Sequence, residues 1–175
     1  RGQEGAYATL NPIDPRNLTN GPTYTLSDGN LTCSMTGGST NSSENRGLCA
    51  STIDIPTGKK WYCEMYMETL SNNDFALGIA SDIVKGYYKL SGGKPGAYLL
   101  RRNGILYYPT GQTGTDSSRE YAAGDLIGLA VDLESSTKTI TWYKNNIELY
   151  SYTVDEDQGP FKFAAGTDAG SGNNY

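Results

Sequence analysis

Few side chains here could do chemistry, and each group can be held against the reaction it would serve. No histidine occurs in the 175 residues. Ser-His-Asp and Cys-His arrangements therefore lack their general base. Glu64 and Glu68 are the best-spaced pair of carboxylates. On a strand they share a face, four residues and about 13 Å apart. Glycoside hydrolysis wants carboxyl groups about 5 Å apart for retention, or up to about 9.5 Å for inversion. Tyr66, not an acid, lies between them on that face. The pair reads as a solvated face or as partners for a cross-strand cation. Asp125, Asp132 and Glu134 lack the alternating acidic spacing of a calcium loop, and Asp155-Glu156-Asp157 reads as a hydrated turn. There is no G-x-x-x-x-G-K-[ST] phosphate loop. We expect no catalytic residue, no metal and no cofactor.

Three cysteines, Cys33, Cys49 and Cys63, leave at least one thiol unpaired, and their spacing fits no zinc pattern. Buried thiols on strands are the first reading; a Cys33–Cys49 bridge is the alternative. What remains is binding. Tyrosine supplies a broad face with a hydroxyl, and arginine a planar donor, the residue types that dominate interfaces. The candidates are Tyr87, Tyr88, Arg101, Arg102, Tyr107 and Tyr108. They lie in or beside the long Gly-rich stretches Asp82–Gly96 and Pro109–Glu120. The competing reading is that one member of each pair packs inward along a strand.

The elements that would position these residues are strands. Leu126–Val131 is a short, nearly continuous apolar run, which suits a strand buried on both faces. Turn residues follow from Asp132 to Ser136, and Lys138–Tyr143 then alternates with period two. Asn145-Asn146 suits a tight hairpin, because asparagine tolerates left-handed backbone angles, and Ile147–Thr153 returns as a strand. Upstream, Leu31–Thr36, Gly47–Ile55, Trp61–Leu70, Phe75–Ser81, Ala97–Arg101 and Ile105–Tyr108 read as strands; Phe161–Ala165 does so downstream. Trp61 and Trp142 fall where a core is expected. Residues 1–22 read as a lead-in with one short strand around Tyr7–Leu10, and residues 23–175 as one β-sandwich. Gly37–Asn45 and the tail Gly166–Tyr175 read as loops. No amphipathic helix or solenoid repeat is visible.

Composition agrees. Glycine numbers 22 and tyrosine 14, as turn-rich β proteins require. Lys+Arg is 14 against Asp+Glu 19, a net charge of −5, which argues against phosphate neutralisation or an anionic membrane surface. No apolar run approaches the roughly 20 residues that cross a bilayer.

Four segments carry a resemblance. GDLIGLAVDL, a polar turn and TITWYKNN (Gly124–Asn146) are similar to the SPRY signature commonly written GDVIGVALDLD…TLTFYKNG. Gly58–Glu64 resembles that family's GKWYWE strand, and Phe75–Ser81 its IGIAS strand. Tyr7–Pro12 resembles the YATLNP opening of SPRY domains in bacteriophage structural proteins. Two departures stand out: Asn146 replaces the expected turn glycine, and the closing Asn-Phe-Gly strand is missing, so the chain reads as part of a longer polypeptide. The resemblance implies an all-β, antiparallel two-sheet sandwich of the SPRY, concanavalin A-like jelly-roll type. It also implies a non-enzymatic binding or structural domain of a virion protein: a tail fibre, spike or capsid appendage. Its partners would be a host-surface glycan or protein, or neighbouring virion subunits, with homo-oligomers formed through the parent polypeptide. The alternatives are a cytoplasmic SPRY module that binds a short peptide, and a lectin-like carbohydrate-binding domain.

Overall fold

The computed structural model describes residues 8–12, 16–17, 23–36, 47–70, 75–81, 96–167 and 173–174. Among these the chain is all-β. Its strands are β1 (Arg16–Asn17), β2 (Thr23–Ser27), β3 (Thr32–Thr36), β4 (Gly47–Ala50), β5 (Lys60–Tyr66), β6 (Thr69–Leu70), β7 (Ala76–Ser81), β8 (Ala97–Arg101), β9 (Leu106–Tyr108), β10 (Gly111–Gln112), β11 (Leu126–Asp132), β12 (Thr139–Lys144), β13 (Ile147–Thr153), β14 (Phe161–Thr167) and β15 (Asn173–Asn174). The only helical pieces among the described residues are 3₁₀ turns at Ser117–Arg119 and Glu156–Gln158.

A seven-stranded antiparallel sheet runs β1-β4-β14-β7-β8-β9-β10. It faces a four-stranded sheet, β13-β12-β11-β5, and a smaller one runs β2-β3-β15-β6. Between them lies the main core, built on Trp142, Phe75, Phe161, Leu77, Ile79, Ile127, Leu129 and Ile140. A smaller cluster on the other face of the seven-stranded sheet includes Leu48, Leu99, Ile105 and Tyr107.

As expected, β11 and β12 are neighbouring antiparallel strands, with Leu129 opposite Trp142. The expectation of burial on both faces holds elsewhere. In β11 only Ile127, Leu129 and Val131 are sealed in the core; Leu126 and Ala130 on the opposite face are half-buried. The strands buried throughout are β7 and β14, in the middle of the larger sheet. Both rely on small residues (Ala76, Gly78, Ala80, Ala164, Gly166), which let layers close on either side.

Other expectations shift for local reasons. Trp61–Leu70 is two strands, not one. Met67 is fully buried and exchanges backbone bonds with Asp125 and Gly124, so the chain leaves the β11 sheet there and β6 joins the small sheet. The tail is less loop-like than its composition suggests: Gly166 and Thr167 extend β14, and Asn173–Asn174 pair with both β3 and β6. Trp61 is half-buried at the core's margin. Leu10 forms a bridge to Ser51, whereas Tyr7 and the Gly37–Asn45 stretch lie outside the described residues. All three cysteines remain thiols, Cys33 and Cys49 buried and Cys63 half-buried.

The turns explain their residues. Asn145 and Asn146 have φ of 51° and 67°, the left-handed pair that a tight hairpin needs. Asn145 does more than glycine could: its Oδ1 accepts from the Leu126 amide at 2.9 Å and its Nδ2 donates to Asp125 at 2.8 Å. At the other end of β11, the Asp132 carboxylate accepts from the Glu134 and Ser135 amides, the Ser135 hydroxyl and Lys60. The Ser135 bonds, then Lys60, hold its pKa far below the usual carboxylate value. A pKa depressed in the folded state gives stability above the unfolded pKa of about 3.9 that is lost as acid protonates the group. We therefore expect Asp132→Asn to lower the melting temperature at pH 7 and to lower it by less near pH 2, because the contribution shrinks below the unfolded pKa and vanishes only below the depressed folded one. An equal difference at both values, measured by melting scans across pH, would remove this carboxylate from the acid limb.

Candidate functional site

Tyr87 and Tyr88 lie outside the described residues. The other four candidates sit on the β8–β9 hairpin, and strand alternation sorts them. Tyr107 is only 4% exposed and belongs to the smaller cluster, with its hydroxyl accepting from Arg101 Nη1 at 3.2 Å. Tyr108 points the other way and is half-buried, its ring 5.3 Å from that of Tyr152. Arg102 is half-buried, with Nη1 donating to the Leu70 carbonyl at 2.9 Å. Arg102 and Tyr108 thus reach the sandwich's side surface, whereas Tyr107 is committed to packing.

The Pro109–Glu120 stretch is ordered by its own bonds. Thr113 pairs with Leu106 through backbone and hydroxyl, and Asp116 caps the 117–119 turn by accepting from the Ser118 amide and hydroxyl. These Ser118 bonds, with a smaller contribution from Arg119, lower the Asp116 pKa. Asp116 also holds Arg119 Nε at 3.0 Å. So fixed, the Arg119 guanidinium lies 3.7 Å over the Tyr150 ring, within the range of a cation–π contact. Tyr150 continues to Tyr152 at 6.4 Å and so to Tyr108, making a row across the seam where β13 meets β9. Burial, then Tyr108 and Tyr150, raises the Tyr152 pKa.

Against the 117–119 turn opens a polar cleft of about 400 Å³, lined by Arg102, Asn103, Ser117, Glu120, Asp125 and Lys144 among others. Tyr121 forms its floor. Its buried hydroxyl lies 3.2 Å from the Phe75 carbonyl and 3.0 Å from that of Leu100, and burial pushes its pKa well above the ordinary value. Lys144 Nζ donates to the Glu120 carbonyl at 2.8 Å, and Asp125 accepts from the Ala122 amide at 2.7 Å. One group is left over. The Asn103 side-chain oxygen is buried and has no donor among the described residues. Buried acceptors are nearly always satisfied, so this exception needs an explanation.

Sequence reasoning missed Arg119, Tyr150, Tyr152, Lys144 and Asn103. For the two tyrosines a signal existed: they alternate on one strand and so share a face. The Arg119 stack and the orphaned Asn103 oxygen depend on packing between segments distant in sequence.

Glu64 and Glu68 are exposed and border a different groove. Glu64 accepts from the Tyr62 hydroxyl at 3.0 Å. Cys63 lines the same groove, but burial, reinforced by Glu64, pushes its thiol up to about 12, so it stays protonated and unreactive at neutral pH. Among the described residues no three His, Cys, Asp or Glu side chains cluster as metal ligands would. Asp125 and Asp132 are instead engaged in turns.

No family model and no curated protein sequence matches the chain. Solved structures do. The SPRY domain of human HERC1 superposes with a TM-score of 0.65 at 18% identity, covering 86% of this chain and 89% of that one. A human SPRY domain gives 0.62 at 19% identity, over 88% and 94% of the two chains. The TRIM65 PSpry domain gives 0.63 at 14% identity, over 95% and 89%. The chain therefore has the SPRY β-sandwich fold.

Proposed function

We propose that this domain is a non-enzymatic binding module that grips a protein partner at the seam formed by Arg102, Asn103, Tyr108, Arg119 and Tyr150. The orphaned Asn103 oxygen carries the reading. A buried acceptor without a donor costs the free protein roughly 1–3 kcal/mol. A partner's N–H entering the cleft would satisfy it. The surroundings support protein as the ligand: a pre-set arginine and a row of tyrosines are the residue types that dominate interface hot spots. The SPRY fold of the neighbours is in keeping with a protein-interaction module. We assign the domain to a virion protein on the strength of the resemblance of Tyr7–Pro12 to the opening of SPRY domains in bacteriophage structural proteins, with a host-surface protein or a neighbouring subunit as partner. A cytoplasmic peptide-binding module would use the same seam.

The test is a peptide array probed with the labelled domain, beside a glycan array. We expect peptide ligands whose binding falls at least about tenfold in Asn103→Ala and Tyr108→Ala, with melting temperature unchanged or raised for Asn103→Ala. Asn103 should behave this way because its removal relieves an unsatisfied group. A lower melting temperature with binding kept in both variants would make the seam mere packing. Hits confined to the glycan array would replace the protein partner with a sugar.

A further inference from the structure

The opposite edge of the same sheet carries a second site. Among the described residues strand β5 pairs only with β11, and its register fixes which backbone groups that pairing uses. The Met67 amide donates to the Asp125 carbonyl and the Leu133 amide to the Lys59 carbonyl. In an antiparallel ladder the bonded positions alternate. Odd-numbered residues of β5 are therefore spent on β11, and Tyr62, Glu64 and Tyr66 turn their N–H and C=O groups outward. Among the described residues no backbone partner meets these three on that side.

Along this edge runs a groove of about 370 Å³. Cys63, Glu64, Met65 and Tyr66 form one wall, Thr9, Leu10 and Asn30–Thr32 the other, and no β11 residue lines it. Of the four large apolar side chains exposed among the described residues, Leu31 (64%) and Tyr66 (56%) border it, and Tyr62 (52%) stands on the same strand. Its charged lining residues are Glu64 and Glu68, neither in an ion pair with a described residue.

We propose that this groove takes an extended basic segment of another protein, added to β5 as a further antiparallel strand. Strand addition satisfies the three idle pairs of backbone groups, and alternate side chains give the selectivity. The inward-facing positions of the guest meet Leu10, Met65 and Phe163, so they are apolar. Its outward-facing positions meet Glu64 on the strand and Glu68 just past the strand's end, so they carry lysine or arginine. Exposed edges are commonly protected by charge or covered. Here the charge among the described lining residues is of one sign, which selects a basic guest.

The probe is a fluorescein-labelled peptide of alternating valine and polar residues, with two lysines among the polar positions, titrated against the intact domain by anisotropy. We expect saturable binding that weakens at least about tenfold with Glu64→Gln and Glu68→Gln combined, and comparably at high salt. A second peptide, N-methylated on the amides that would face β5, should lose binding with the protein unchanged. Absence of binding at millimolar peptide, equal binding of a glutamate-for-lysine peptide, or equal binding of the N-methylated peptide each overturns the proposal. Binding that tightens more than about tenfold when residues 1–7 are removed would make the chain's own start the occupant. A domain dimer that excludes the peptide would assign the groove to a second copy. Either result also overturns it. Asn103→Ala leaves this binding intact, so failure here and failure at the seam are separable.

Discussion

Trp142→Ala should cost about 3–5 kcal/mol, the range for emptying a buried aromatic site. Trp142 is fully buried at the centre of β12 and is the largest of the sealed side chains. Its indole reaches across the core, and Nε1 donates to the Leu77 carbonyl of the facing sheet at 2.9 Å. The residue thus adds a directed bond between sheets to its apolar burial, and its ring also stacks on Tyr150 at 6.3 Å. Trp142→Phe separates these contributions, since it keeps most of the ring and removes one donor from a Leu77 carbonyl that the β7–β8 pairing also engages, for about 0.5–1.5 kcal/mol. Lys144→Ala, two positions along, loses one bond to the Glu120 carbonyl at the surface and should cost under about 1 kcal/mol. Urea midpoints decide it. Equal midpoints for Trp142→Ala and Lys144→Ala would mean that β12 presents the opposite face to the core. Because Tyr150 rests on the indole, the alanine variant should also weaken seam binding in the residual folded protein.

That orientation of β12 is legible in the residue order alone. Alternation from Lys138 to Tyr143 places Ile140 and Trp142 on one face, and both are fully buried. The hairpin at Asn145-Asn146 is legible too, because left-handed angles restrict the residue types allowed there. Apolar runs prove a poorer guide to two-sided burial. β11 is richer in large aliphatic residues than β7, yet β7 is the strand enclosed on both faces. What seals a strand is how closely its neighbours approach, and small residues decide that. The site is harder still. Arg102 and Tyr108 can be singled out by type and place, but Arg119 is joined to Tyr150 by Asp116 and a 3₁₀ turn that no period announces. The idle edge of β5 depends on strand order, a long-range property that local alternation does not contain. Alternation shows which face of β5 is wet; only the pairing with β11 shows which backbone groups are unused.

Gly78→Ala should destabilise the domain by at least about 3 kcal/mol, at the upper end of overpacking costs, although it adds a single methyl. A Cβ at Gly78 would stand 2.0 Å from the Tyr98 carbonyl oxygen of β8 and 3.1 Å from the Trp142 ring. The first obstacle is backbone in a paired strand, so no rotamer relieves it. β7 must separate from β8, opening the ladder in which Ile79 faces Tyr98. Separation would also disturb the Leu77 carbonyl that Trp142 uses, and the β8–β9 hairpin that carries Arg102 and Tyr108. Gly128→Ala is the control that isolates this cause. Its Cβ would meet an equally close-looking obstacle at 2.4 Å, but that atom is the Tyr62 hydroxyl. Tyr62 is about half exposed and tethered only through Glu64, so its ring can swing outward. Alanine in place of a strand glycine also recovers chain entropy, so we expect Gly128→Ala to fall within about 1 kcal/mol of wild type. Matched urea melts of the two variants give the answer. Similar midpoints would show that the β7–β8 backbone can yield as readily as a surface tyrosine, and would take the rigidity out of the frame that holds the seam.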